Sequence, residues 1–170
     1  MSSGGAKPSP RIVLRRLTGV TVYDVRDLLN EPRNWRHMPL AGVFTDEATA
    51  DWVQGKDAQW DQHGYGPWAI LIDGEFAGWG GFQCEGGVAD YGLVLAPRFW
   101  GLGASVTRLA LDYGFKELAL DEVTIALPLT RNPDAALGRL GFRADGVVTH
   151  GTAEFRRFRL SAADWRAIPD

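Results

Sequence analysis

The sequence predicts an α/β protein of the α+β kind, with one mixed, mostly antiparallel sheet of about seven strands and helices on both faces. Strand-like segments with alternating apolar residues are interleaved with segments whose apolar residues recur at helical spacing. The 170 residues are 45% hydrophobic, which is enough for one core. We therefore expect a disordered leader over residues 1–10, rich in Ser, Gly and Pro, and a single domain over residues 11–170.

The first half of the chain predicts four strands and two helices. Thr21 and Thr45 are typical N-caps, because each precedes an apolar helical pattern and has acidic residues after it. Asp73-Gly74 favours a tight hairpin turn, because both residue types tolerate a positive φ. The predicted elements are a strand over 12–17, helices over 21–29 and 45–63, and strands over 68–72, 76–82 and 88–95.

The second half begins with the longest predicted helix. Val106, Leu109, Ala110 and Tyr113 recur at helical spacing. Ser161, with an Asp three residues later, predicts a final capped turn. The predicted elements are a helix over 101–118, a strand over 123–127, a helix over 134–140, strands over 146–149 and 154–160, and a turn over 161–165.

Composition excludes several classes of function. The 18 basic and 21 acidic residues leave a net charge of −3, which does not favour a nucleic acid partner. No apolar run approaches the length of a membrane span, and residues 1–10 lack the apolar core of a signal peptide. A lone Cys84 and the scattered His37, His63 and His150 predict neither a disulfide nor a metal site. We expect a cytoplasmic protein.

Charge is distributed unevenly along the chain. Residues 41–97 carry nine acids and only Lys56 as a base, whereas residues 1–40 carry seven bases and three acids. This pattern fits a cation site beside an anion site. It fits solvated helix faces equally well.

One turn carries most of the functional signal. Gly101 and Gly103 lie between a strand and the longest helix, where tight backbone turns and free N–H groups favour a phosphate. The turn is not a Walker loop, since no Gly-Lys-Ser/Thr follows, and Val106 occupies the third glycine position of a dinucleotide fingerprint. The two glycines alone are equally compatible with a turn that binds nothing.

Arg98, three residues before Gly101, favours a ligand-binding turn over a turn that binds nothing. The pattern Arg98-x-x-Gly101-x-Gly103-Ala104 resembles the acyl-CoA pyrophosphate motif of the GNAT superfamily of N-acetyltransferases. Residues 90–101 resemble the signature of the branch that contains bacterial ribosomal-protein N-terminal acetyltransferases (RimJ/RimL-like). The resemblance extends over nearly the whole chain after residue 10, and it implies the GNAT fold.

The resemblance implies acetyl-CoA as co-substrate, with no metal. The strand end would pair with the pantetheine arm, the glycine turn would hold the pyrophosphate on its amides, and Ser105 would add a hydroxyl. Trp100 is expected to pack on the sheet rather than stack on the ligand. The cofactor-binding residues implied are Leu93, Val94, Leu95, Arg98, Phe99, Trp100, Gly101, Leu102, Gly103, Ala104, Ser105 and Asn132.

The implied reaction is direct acetyl transfer to a primary amine, either a protein N-terminus or a small amine. Because the amine must lose a proton, we expect a base near it. Asp90 is the first candidate, with a solvent-facing Asp as the alternative, and Glu85 is the second. His63 and His37 rank lower. The acidic segment would attract a cationic acceptor, and the resemblance leaves a homodimer open.

Two departures from the family pattern affect the implied site. The family's Asn is expected about 11 residues before Gly141, where Thr130 stands here, and Asn132 lies nine residues before it. The family's Tyr or Ser that protonates the leaving thiolate is replaced by an Ala135-Ala136 segment. These departures keep a second function open, a domain that binds acetyl-CoA without catalysis.

Overall fold

The computed structural model describes residues 5–35 and 43–170, apart from the side chain of residue 35. Seven strands in these residues form one sheet in the order β1-β2-β3-β4-β5-β7-β6. Only β4 and β5 run parallel, and every other neighbouring pair is antiparallel. The strands are β1 (Ile12–Arg16), β2 (Pro67–Ile72), β3 (Glu75–Glu85), β4 (Val88–Leu95), β5 (Glu122–Pro128), β6 (Arg143–His150) and β7 (Ala153–Ser161). The predicted mixed, mostly antiparallel sheet is confirmed.

Side-chain caps start several of the helices. The hydroxyls of Thr21, Thr45 and Ser161 each accept a hydrogen bond from the backbone N–H three residues later, as the sequence predicts. None of the helices in the described residues is long and apolar enough to cross a membrane. The helices are α1 (Val22–Leu29), α2 (Pro32–Trp35), α3 (Asp46–Asp57), α4 (Gln59–His63), α5 (Gly103–Lys116), α6 (Asp134–Arg139) and α7 (Ala162–Arg166).

Three predicted boundaries are wrong. The predicted helix over 45–63 is two helices that meet at Ala58, and Gly64, in the left-handed region at φ 75°, ends the second. The long helix begins at Gly103 rather than Gly101, because Pro97–Leu102 forms a 3-10 segment first. The penultimate strand starts at residue 143 and passes a bulge near Gly146, whose φ of 83° suits a glycine.

The predicted leader is only partly described. Residues 5–11 contain no helix or strand and are mostly exposed, and residues 1–4 lie outside the described part of the chain.

Helices cover both faces of the sheet. On one face, α1 and α3 pack on β2 through an apolar cluster that includes Val25, Val53 and Ala69. On the other face, α5 packs through Leu111 and its neighbours against Phe82. Gly114 allows this close approach, because a Cβ there would lie 2.7 Å from Phe82 Cζ.

The face that α3 covers continues over β4 and β5, and we call it the α3 face. Ala69 pairs with Trp79, and Trp79 pairs with Val94, so all three side chains point to this face. Asp90 shares the face by strand alternation, and Thr124 beside it on β5 does so too. Both lie next to the point where β4 and β5 part.

Candidate active site

A wedge-shaped gap separates β4 from β5. β4 pairs with β3 over all eight of its residues. Its pairing with β5 is limited to Ala89 with Val123 and Asp90 with Thr124. Beyond Asp90, residues 91–95 have no described partner on β5. We call this space the β4–β5 gap and the pair Asp90–Thr124 its apex.

The backbone of β4 presents alternate residues to the gap. The carbonyl of Gly92 is directed at β3, because a Cβ built on Gly80 would lie 2.7 Å from its oxygen. The carbonyl of Val94 is directed at β3 in the same way, against Gly78. Backbone groups alternate along a strand, so those of Leu93 and Leu95 face the gap. Of the three strand residues predicted to bind the cofactor, Val94 therefore offers the gap no backbone group.

The turn after β4 ends in an uncapped helix N-terminus. Leu102 at the N-cap of α5 makes no side-chain cap, and no acidic residue lies in the first turn. A Cβ built on Gly101 would meet nothing within 4 Å, and one on Gly103 only Leu93 Cδ2 at 3.8 Å. No described side chain fills the space beside Gly101, where the helix dipole favours an anion, and the N–H of Gly103 itself donates to the carbonyl of Trp100. Ala104 and Ser105 continue the same turn.

Arg98 is held by its neighbours. Its Nη1 lies 2.9 Å from Glu75 Oε2 at the start of β3, and its guanidinium stacks on the ring of Phe99 with 4.5 Å to the centroid. Both charged side chains are exposed. The motif arginine is therefore tied to the β2–β3 hairpin in this structure.

Trp100 does not pack on the sheet, so that prediction is wrong. The residue is 52% exposed and lies in the 3-10 segment Pro97–Leu102. The indole Nε1 donates a 2.9 Å hydrogen bond to the carbonyl of Leu95. The gap-facing carbonyl of Leu95 is thereby occupied, whereas no side chain of the described residues hydrogen-bonds to the backbone of Leu93.

Asp90 lies partly buried at the apex, so the solvent-facing alternative does not hold. Burial raises its pKa to about 6, and the hydrogen bond from Thr124 Oγ1 to Oδ1, at 2.7 Å, opposes that rise. The charge of Glu85 raises the pKa further, whereas those of His150 and Arg157 lower it. Oδ2 has no partner among the described residues. Asp90 is thus a carboxyl group that can exchange a proton near neutral pH.

A polar cluster that the sequence does not predict lies beside Asp90. Gln83 on β3 pairs with Asp90 across the sheet. Lys56 Nζ, on α3, donates to Gln83 Oε1 and lies 5.7 Å and 5.5 Å from the ring centroids of Trp52 and Trp79. Burial lowers the pKa of Lys56. The sequence does indicate that Gln83 shares a strand face with Trp79, because the two residues alternate along β3. It does not indicate the contact with Lys56, because that residue lies 27 positions away in the chain.

The remaining candidates are exposed or lie outside the described residues, and the charge of Glu85 still acts on Asp90. Glu85 is exposed at the end of β3, and His63 is exposed and stacks on Tyr65. Asn132 is exposed in the loop before α6. His37 lies outside the described residues. The part of the chain that the structure describes holds no group of three or more metal-ligating side chains.

Comparison with known proteins identifies the family. A family model described as an acetyltransferase (GNAT) domain matches residues 11–143. The chain therefore belongs to the GNAT acetyltransferase family.

Solved structures share the fold at low sequence identity. An acetyltransferase from Agrobacterium tumefaciens is 19% identical with a TM-score of 0.70, covering 94% of this chain and 98% of its own. A spermidine N-acetyltransferase from Vibrio cholerae, in complex with CoA and spermine, is 15% identical with a TM-score of 0.72, covering 91% and 98%. An aminoglycoside acetyltransferase, AAC(6')-Ib, in complex with coenzyme A, is also 15% identical with a TM-score of 0.72, covering 94% and 98%.

Proposed function

We propose that this protein is an N-acetyltransferase that moves the acetyl group of acetyl-CoA directly to a primary amine. The observation that carries the proposal is the β4–β5 gap, which ends at a carboxyl group on one side and opens toward the uncapped N-terminus of α5 on the other. Membership of the GNAT family supports acetyl-CoA as the donor.

The residues present fit acetyl-CoA. The amides from Phe99 to Ala104, with the hydroxyl of Ser105, would hold the pyrophosphate, because they lie at a helix N-terminus that no side chain caps. The N–H groups of Phe99 and Gly103 contribute least, since they already donate to the carbonyls of Ala96 and Trp100. The gap-facing backbone of Leu93 and the N–H of Leu95 would pair with the pantetheine arm. A backbone N–H of this strand would also stabilise the oxyanion, a contribution of about 3–4 kcal/mol where such donors have been removed.

The transfer needs one proton acceptor at the apex. The neutral amine attacks the thioester carbonyl, the new C–N bond forms, the C–S bond breaks, and CoA leaves as a thiolate. Asp90 takes the amine proton on Oδ2, which has no partner among the described residues. A thiol of pKa about 8.5 is a good leaving group without an acid, so Ala135 and Ala136 are compatible with turnover.

The acceptor is a small amine or a protein N-terminus. The relatives in complex with CoA, one named for spermidine and the other for aminoglycosides, support small amines. The signature over residues 90–101 supports the ribosomal-protein branch and its protein N-termini. Two acids of the 41–97 segment lie in ion pairs, Asp46 with Arg26 and Asp57 with Arg16, so their charges are partly neutralised and contribute less to attracting a cationic acceptor.

A transfer assay tests the proposal. Acetyl-CoA is incubated with a panel of amines and short peptides, free thiol is followed over time, and products are identified by mass. We expect one thiol released per acetylated amine. Glu85→Gln separates the two candidate bases, because this variant should retain most of the transfer rate if Asp90 is the base. Asp61→Asn, which removes another exposed acid on α4, serves as the matched control.

The Ala135-Ala136 segment favours a second candidate, a domain that binds acetyl-CoA without turnover. Its signature is a melting temperature raised by acetyl-CoA in a separate thermal melt, together with no acetylated product and no thiol above the blank in the transfer assay. That result would overturn the transferase proposal and leave the cofactor site in place.

A further inference from the structure

Lys56 is a partly buried cation with no counterion among the described residues. Its Nζ donates to the neutral oxygen of Gln83 and lies over the rings of Trp52 and Trp79. It forms no ion pair with any described residue, and the charge of Glu85 acts on it only from beyond ion-pair distance. Every other lysine side chain in the described residues is exposed: Lys7 and Lys116. A desolvated ammonium group is stabilised by a nearby anion.

The surroundings of Lys56 are rich in hydrogen-bond donors. Trp79 Nε1 is buried with no hydrogen-bond partner in the described residues. The Gln83 side-chain amide donates to no described residue either. Its oxygen already accepts from Lys56 and, at 3.5 Å, from Gln59 Nε2. The remaining donors of the cluster therefore lack an acceptor. A carboxylate supplies both acceptor oxygens and the negative charge that Lys56 needs.

The cluster is one strand away from the proposed base. Gln83 and Asp90 are direct cross-strand partners on the α3 face. Opposed side chains on adjacent strands have Cβ atoms about 4.5–5.5 Å apart. A Cβ at Gly92, the next residue of β4 on this face, would meet nothing within 4 Å, so a small molecule has space there. An amine facing Asp90 and an anion facing Gln83 fit within one small molecule.

We propose that the acceptor is a free amino acid, whose carboxylate is bound by Lys56 and Gln83 while its amine faces Asp90. This inference rests on the proposed acetyl transfer and narrows its acceptor. Lys56 is then a specificity-determining residue. The inference disfavours polyamines, since a second positive charge would lie beside an existing ammonium group without a counterion.

Matched pairs of acceptors test the inference. The wild-type protein is given acetyl-CoA and either a free amino acid or its carboxamide, for example methionine and methioninamide, and kcat/KM is measured for each. We expect at least a tenfold preference for the free acid. The amine of the free acid is the more basic, because the carboxylate stabilises its charged form, so simple reactivity would favour the carboxamide.

Variants of Lys56 complete the test. Lys56→Met keeps the packing on the two indoles and should abolish the preference by lowering kcat/KM for the acid alone. Lys56→Arg should restore most of the preference, and Lys116→Met, which removes an exposed lysine of α5, should leave it unchanged. Thermal melts establish that each variant folds, and Lys56→Gln replaces Lys56→Met if the latter does not fold.

Two failures are distinguishable. If amines without a carboxylate are acetylated as fast as free amino acids, or if Lys56→Met keeps the preference, the inference is overturned and the transferase stands. If the wild-type protein acetylates nothing, the proposed function fails and the inference fails with it.

Discussion

Thr124 Oγ1 donates a 2.7 Å hydrogen bond to Asp90 Oδ1 across the last pair of residues that joins β4 to β5. Beyond this pair the two strands separate. The carboxyl group is therefore fixed at the apex of the gap by a neighbour that is itself 4% exposed. A hydroxyl that donates to a carboxylate favours its charged form, so this contact opposes the effect of burial on the pKa.

Asp90→Asn should slow transfer and change its pH dependence. A carboxyl of pKa about 6 acts as a base only when it is ionised, so the wild-type kcat/KM should rise with pH through about 6. The variant should lose roughly 10²–10⁴-fold in kcat/KM, together with this acidic limb. Steady-state kinetics from pH 5 to 8.5 provide the measurement. An acidic limb that persists in Asp90→Asn would assign it to another group.

The same substitution should stabilise the folded protein above pH 6. The pKa of Asp90 is about 6 when folded and 3.8 when unfolded, so the folded state holds more protons between these values. Stability therefore falls as pH rises through this window, with a cost of about 3 kcal/mol when complete. The melting temperature of Asp90→Asn relative to wild type should increase between pH 4 and pH 7.5. A difference that does not vary with pH contradicts the assignment.

Thr124→Val should move the acidic limb upward. The valine preserves the shape of the side chain but removes the donor to Oδ1, so the charged form of Asp90 loses support and its pKa rises. The kcat/KM profile of the variant should be displaced to higher pH, with the plateau rate largely retained. Thr124→Ser keeps the hydroxyl and is the matched control, and a limb that shifts equally in both variants would attribute the effect to packing.

Features that depend on a few neighbouring residues were predictable from the sequence. Capping by Thr21 and Thr45 and the Asp73-Gly74 hairpin arise from backbone groups three or fewer residues away. The turn with Gly101 and Gly103 was identified for the same reason, because its glycines and the helix after it are contiguous.

Features that depend on pairing between distant parts of the chain could not be predicted from the sequence. The gap exists because β5 leaves β4 after two pairs, and no periodicity in either strand encodes that separation. Lys56 meets Gln83 across 27 residues. The sequence predicts that Trp100 covers the sheet, but the position of its side chain depends on a 3-10 segment and on a hydrogen bond to the carbonyl of Leu95.

We propose that acetyl-CoA occupies the β4–β5 gap with its pyrophosphate on the first turn of α5. Calorimetric titration of acetyl-CoA into the wild-type protein and into Gly103→Glu measures whether this turn is the binding site. Gly103 has helical φ and ψ, and a Cβ there would make only an ordinary contact with Leu93 Cδ2 at 3.8 Å, so the variant should fold with an unchanged melting temperature. Its carboxylate would occupy the anion position. We predict saturable binding by the wild type and none by the variant, whereas equal binding by both would mean that the pyrophosphate does not lie on this turn.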